Sequence, residues 1–208
     1  MKIKICGLFD SENIREIAQL QPDFMGFIFY PESKRFVGNN FDYHNLKQLP
    51  ETIRKVAVFV NATIAEIDKI QTRFQFDYLQ LHGDEPVAFC RELHQKKYKI
   101  IKAFAIDKSF NFNVLPSYEP YCDYFLFDTK TDGYGGSGKI FDWQLLKKYT
   151  LKTPLFISGG LGIDNYKALV ELDLPQLAVL DFNSKLENEK HIKDIINAGQ
   201  LITQIKNL

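Results

Sequence analysis

Cys6 closes the run Lys2 to Cys6, in which charged and apolar residues alternate, and Asp128 closes the aromatic run Tyr124, Phe125, Leu126, Phe127. A thiol and a carboxyl, each at the end of a short strand-like run, form a candidate general base and general acid. Each has a plainer reading. A lone cysteine is commonly a small buried hydrophobe, and to act as a base it needs a pKa below the ordinary thiol value of roughly 8.5, or deprotonation within a complex. Asp128 is otherwise a structural acid paired with Lys130, although a carboxyl among aromatic rings is also one placed to give up a proton.

Other polar residues stand where similar runs end. His82 follows Tyr78 to Leu81, Arg35 lies in PESKRF after the run Phe24 to Tyr30, and Ser158-Gly159-Gly160 follows Leu155 to Ile157. Asn183 and Ser184 come shortly after Leu177 to Leu180. Glycine amides and small polar side chains after the last two strands are how a parallel barrel cradles a phosphate dianion without arginine. Behind Asp128, the glycines Gly133, Gly135, Gly136 and Gly138, with Tyr134 and Ser137 among them, give a backbone free to take positive φ and to close over a small ligand. Gly136 is accordingly a candidate substrate contact.

The elements that must position these groups repeat in one rhythm. After the first strand, Asp10 or Ser11 caps a helix with Ile14, Ile17 and Ala18 on one face. Phe24 to Tyr30 is a strand, Pro31 to Asn40 a loop, and Tyr43 to Leu49 a short helix. Lys55 to Val60 is the third strand, and Thr63 with Glu66 forms a capping box ahead of Ile64, Ile67, Ile70 and Phe74. Tyr78 to Leu81 precedes a helix capped by Asp84, with Pro86 in its first turn. Lys99 to Phe104 is a fifth strand, followed over 107–120 by a segment with no clear helical face. Asp142 starts a helix after the sixth strand, and Asp164 caps one running through Leu169 and Leu172 after the seventh. The last helix carries Ile192, Ile195, Ile196, Ile202 and Ile205. Eight strands alternating with helices fit a closed parallel (β/α)₈ TIM barrel, read as one α/β domain over residues 1–208, better than an open doubly wound sheet. An open sheet binding a dinucleotide would carry GxGxxG after its first strand, where this chain has CGLFDS.

Composition narrows the partners. The 208 residues are 45% hydrophobic, enough to bury a full core, and 26 basic residues balance 26 acidic ones with no run of five like charges. That balance offers no electrostatic footprint for nucleic acid or an anionic membrane. No segment approaches the roughly 20 apolar residues of a membrane span, so a cytoplasmic location is expected. Three cysteines, Cys6, Cys90 and Cys122, are odd in number and lack CxxC spacing, which argues against a disulfide framework or a zinc site and for reduced thiols.

The motifs KICG (Lys4 to Gly7), QLHGDE (Gln80 to Glu85), FDTKTDGYGGSGKIFDW (Phe127 to Trp143) and SGGL (Ser158 to Leu161) together resemble the phosphoribosylanthranilate isomerases of tryptophan biosynthesis. The resemblance implies a (β/α)₈ barrel that uses no cofactor or metal. It also implies an Amadori rearrangement of the phosphorylated aminoaldose N-(5-phosphoribosyl)anthranilate to the aminoketose. Carried over by position, Cys6 matches the family's general base, Asp128 its general acid, and Arg35 the arginine that meets the anthranilate carboxylate. His82, Gly136, Gly159, Gly160, Asn183 and Ser184 are then expected to bind substrate. Two positions depart from the family's pattern. Asn183, Ser184 and Lys185 stand where it usually shows Ser-Ser-Gly, and Phe9 where it commonly has a small polar residue.

Other readings make different demands. A histidine-pathway aminoaldose isomerase would want two aspartates, and an indole-forming synthase or an aldolase would need a lysine in the barrel mouth, where Lys4 and Lys102 are the available strand lysines. A non-catalytic phosphate-ligand barrel would have no use for both Cys6 and Asp128. The sequence leaves homo-oligomer formation open.

Overall fold

A short run rich in β-branched and aromatic residues recurs eight times, and in each the two alternating sets of side chains find different apolar partners, one inside the sheet and one outside. The computed structural model describes residues 1–39, 41–42, 44–130 and 140–208. Its strands are β1 (Lys2–Ile5), β2 (Phe24–Ile28), β3 (Arg54–Phe59), β4 (Tyr78–Leu81), β5 (Ile100–Ile106), β6 (Tyr124–Thr129), β7 (Leu155–Ile157) and β8 (Leu177–Phe182). Each pairs in parallel with the next and β8 pairs with β1, so the sheet is a closed barrel. The described α-helices are α1 (Ser11–Gln19), α2 (His44–Lys47), α3 (Ile64–Phe74), α4 (Val87–Gln95), α5 (Tyr166–Val170) and α6 (Ile195–Lys206).

Strand alternation divides the core in two. Phe24, Val56, Ile101, Leu126, Phe156 and Val179 point inward, and Ile3, Phe27, Leu79, Phe125 and Leu180 pack outward against the helices. Four rings plug the barrel floor, with Phe24, Tyr78, Tyr124 and Phe156 meeting edge to face at centroid separations of 4.9 to 6.4 Å. At that end a repeated Asp-aromatic pair sets the register. Asp23, Asp77 and Asp123, just before β2, β4 and β6, each accept the backbone N–H of the strand before (Ile3, Lys55 and Ile100), all at 2.8 Å. The floor is thus built for stability and the opposite rim is left for the site.

Helix boundaries differ from the sequence reading in instructive ways. Pro86, not Asp84, occupies the cap before α4, and proline there forfeits no hydrogen bond because a helix's first amides have no intrahelical partner. The helix expected from Asp142 is a 3-10 helix, Trp143–Lys148, with Asp142 accepting the N–H of Gln144. Asn165, not Asp164, precedes α5, which stops at Val170 and excludes Leu172. α2 is confined to four residues, and the segment after β5 forms two 3-10 helices, Phe112–Ser117 and Glu119–Tyr121. In α6, Asp194 is the cap, Ile192 lies outside, and Ile196 is 73% exposed, off the apolar face.

Candidate active site

Inward alternation carries polar pairs to the rim at i, i+2 spacing, the first within a strand and the second just past its end: Lys4 and Cys6 at β1, Gln80 and His82 at β4, Asp181 and Asn183 at β8. All of these but Lys4, which lies wholly buried beneath them, line with Asp128 from β6 one open cavity, whose wall also includes Ser33, Ser158, Gly159, Gly160 and Ser184. Seven of the sequence candidates therefore converge, Cys6, His82, Asp128, Gly159, Gly160, Asn183 and Ser184. Gly136, with the rest of the flap expected over Thr131 to Ser137, falls outside the described residues.

A polar chain runs from the buried Lys4 to Asp128. Lys4 Nζ donates to Asp181 Oδ2 at 2.6 Å and to Gln80 Oε1 at 2.8 Å, and Gln80 Nε2 lies 2.8 Å from His82 Nδ1. His82 Nε2 is 3.1 Å from Asp128 Oδ2, and Asp128 Oδ1 accepts the Thr129 N–H at 2.8 Å. Lys4 is wholly buried, and such a cation persists only when its protons are placed on acceptors. Burial works against its charge, yet Asp181 and Cys6 outweigh that and raise its pKa. Asp181 itself is pushed up by burial, with Lys4 opposing. One of its oxygens, Oδ1, is buried without a hydrogen-bond partner.

Cys6 departs from the expectation of a lowered thiol pKa. Burial pushes it up, and the pull of Lys4 beside it does not make up the difference. In the free protein that direction favours the thiol over the thiolate. Gly26 gives this residue its room, since a β-carbon there would lie 2.6 Å from the sulfur.

Arg35 is not the solvated loop residue that an isolated arginine suggests. The loop after β2 folds back so that the Val37 N–H reaches the Ile28 carbonyl, and this carries Arg35 under cover. Its Nε and Nη2 grip the two oxygens of Glu187 as a fork. Lys193 donates to the same carboxylate at 2.9 Å and to Asn183 Oδ1 at 2.6 Å. Burial alone would raise Glu187, but Arg35, Lys193 and His191 hold it down at about 2. Arg35 is absent from the cavity wall described above, and the edge of its guanidinium that Glu187 does not grip has no described partner.

The glycines after β7 do more than offer amides. Gly159 and Gly160 both have positive φ, at 90° and 66°, and Gly159 is crowded by Asp128 and Thr129. The Gly162 N–H is taken by Asn165 Oδ1, and Lys185 is exposed with its stem against Gly162. Lys102 is removed as a barrel-mouth lysine. It lies between the inward-facing Ile101 and Ala103, so it points outward, where Glu85 and three backbone carbonyls hold its amine. Gln80, Asp181, Glu187 and Lys193 escaped the sequence reading, although i, i+2 polar spacing in an otherwise apolar strand was the available signal for the first two. Among the described residues, no cluster of three or more His, Cys, Asp or Glu is disposed to hold a metal ion.

Comparison with known proteins points to one family. A family model described as N-(5'-phosphoribosyl)anthranilate (PRA) isomerase matches residues 3–203. The N-(5'-phosphoribosyl)anthranilate isomerase of Parabacteroides distasonis is 43% identical over 208 residues, covering 99% of this chain and 93% of its own. The crystal structure of phosphoribosyl anthranilate isomerase from Thermotoga maritima superimposes with a TM-score of 0.86 at 31% identity, covering 100% of both chains. A second phosphoribosyl anthranilate isomerase structure, in complex with reduced 1-(o-carboxyphenylamino)-1-deoxyribulose 5-phosphate, gives 0.83 at 27% identity, again over 100% of both chains.

Proposed function

The chain belongs to the N-(5'-phosphoribosyl)anthranilate isomerase family and is an aldose–ketose isomerase of tryptophan biosynthesis, and from that premise we propose that Asp128 is its general acid and Cys6 its general base. The observation that carries the assignment is that one rim cavity holds both groups, which enter it from β6 and from β1. Asp128 protonates the furanose ring oxygen, the ring opens to an iminium, and Cys6 removes the proton from the adjacent sugar carbon to give an enolamine that tautomerises to the aminoketose. Burial favours the thiol in the free protein, so the base forms as substrate binds, when the Cys6 thiol releases its proton to water and Lys4 beside it stabilises the thiolate that remains.

Substrate is held from the loops. The phosphate lies against Gly159 and Gly160 after β7 and against Asn183 and Ser184 after β8, beside a carboxyl-binding edge of Arg35 that Glu187 orients from behind. Gly136 and the glycine-rich segment around it exclude water from the enolamine. The test is to add Cys6→Ala and Asp128→Asn proteins to freshly made phosphoribosylanthranilate and follow the loss of its fluorescence. Each substitution should lower turnover by about 10² to 10⁴ while the circular dichroism spectrum is kept. Normal turnover in either variant removes that residue from the mechanism.

A further inference from the structure

We propose that Gln80, anchored by Lys4, is a positioning residue that fixes the ring tautomer of His82 so that the proton on Asp128 goes to substrate and not to the imidazole. This deepens the reading above, since it rests on Asp128 being the acid. Hydrogen positions follow here from chemistry. An ammonium only donates, so the Gln80 atom 2.8 Å from Lys4 Nζ is the amide oxygen, and the amide nitrogen must be the end that faces His82 Nδ1 at 2.8 Å. That NH₂ group also only donates, so Nδ1 presents a lone pair. The neutral ring therefore carries its hydrogen on Nε2, the nitrogen 3.1 Å from Asp128 Oδ2.

The consequence lies at the carboxyl. With Nε2 protonated, the imidazole orients Asp128 by donating to it and cannot accept its proton. With the opposite tautomer, a bare Nε2 would stand 3.1 Å from the acid as the nearest base and would compete with the ring oxygen of the substrate. A purely structural role for Gln80 would require only its oxygen, as an acceptor for Lys4. The second link, from its nitrogen to His82, is what carries orientation from a buried cation to the reactive carboxyl. Gln80 is itself buried, so its amide has no water with which to trade these partners.

The experiment reads the tautomer directly. The full chain, uniformly ¹⁵N-labelled, is examined by long-range ¹H–¹⁵N correlation, and the ring nitrogens of His82 among the four histidines are assigned with a His82→Asn control. The free wild-type protein should show an unprotonated Nδ1 and a protonated Nε2. Gln80→Glu replaces the donating amine with an accepting oxygen of the same shape, so it should place a hydrogen on Nδ1 and lower kcat about 10-fold or more with KM nearly unchanged. A protonated Nδ1 in the wild-type protein overturns the proposal without any variant having to fold. So does wild-type kcat in a Gln80→Glu protein whose Nδ1 carries hydrogen and whose Nε2 carries none. If Asp128→Asn turns over normally, the acid assignment fails and with it the proton-directing role, whereas the spectrum would still report the tautomer; the two failures are thereby told apart.

Discussion

Gly159 and Asp128 are packed so closely that a β-carbon on the glycine would lie 2.7 Å from the carboxylate Oδ1 and 2.3 Å from the hydroxyl of Thr129. The glycine after β7 is therefore a spacer for the acid on β6 as well as a donor of backbone. Gly159→Ala combines a φ of 90°, which an L side chain rarely adopts, with displacement of Asp128. We expect a loss of about 1–3 kcal/mol in thermal or chemical denaturation, and a fall in kcat/KM of about 10-fold or more. A stable variant with unchanged kinetics would show that the carboxyl does not depend on this contact.

Burial raises the pKa of the Cys6 thiol, and this makes the protein's stability depend on pH on the alkaline side. In the unfolded chain the thiol titrates near roughly 8.5, and in the folded protein it does so above that. Its contribution to stability is fully present below the unfolded value and is lost as pH rises through the folded one. Ultraviolet difference spectra, wild type minus Cys6→Ala, should place the thiolate step above the ordinary thiol range. Above about pH 9 the wild type should lose Tm faster than the variant. A step on the acid side of the ordinary value would mean that Lys4 dominates the site.

The strand ends were legible because short aromatic and β-branched runs stop at a polar residue, and that rule alone located Cys6, His82, Asp128 and Gly159. It failed inside the strands. Gln80 and Asp181 read as ordinary strand residues until the barrel closes and turns their faces toward Lys4, an event that joins positions as far apart as 4 and 181. Lys102, weighed beside Lys4 as a strand lysine for the mouth, falls between the inward-facing Ile101 and Ala103, where a shift of one residue exchanges the inner face for the outer. Arg35 looked exposed because its partner, Glu187, lies 152 residues away.

The floor of the barrel makes a contrasting prediction. Asp123 accepts the buried N–H of Ile100 at 2.8 Å and donates its own N–H to the Ile100 carbonyl at 2.9 Å. Asp123→Ala leaves the first of these groups without its partner and should cost about 1–3 kcal/mol in denaturant unfolding. Because β5 and β6 present their chemistry at the opposite end, kcat and KM should stay within about twofold. A large kinetic change would show that register at the floor is transmitted to the rim.

Glu187 is depressed to about 2, so its contribution to stability is complete above the unfolded carboxyl value of roughly 4.3 and is lost as pH falls from there toward 2. Glu187→Gln should remove that acid-limb dependence and destabilise the protein by about 3–5 kcal/mol at neutral pH, because Arg35 and Lys193 lose the carboxylate they share.

Arg35→Lys separates support from substrate binding. Lysine can keep an ion pair with Glu187 but cannot use one edge for that acid and a second edge for another carboxylate, since it is a point charge and not a planar fork. If the outer edge of Arg35 meets the substrate's carboxylate, KM should rise about 10-fold or more with kcat largely retained, the signature of binding lost equally from ground and transition states. An unchanged KM in a protein of wild-type stability would confine Arg35 to the Glu187 cluster and leave recognition of that carboxylate to another part of the rim.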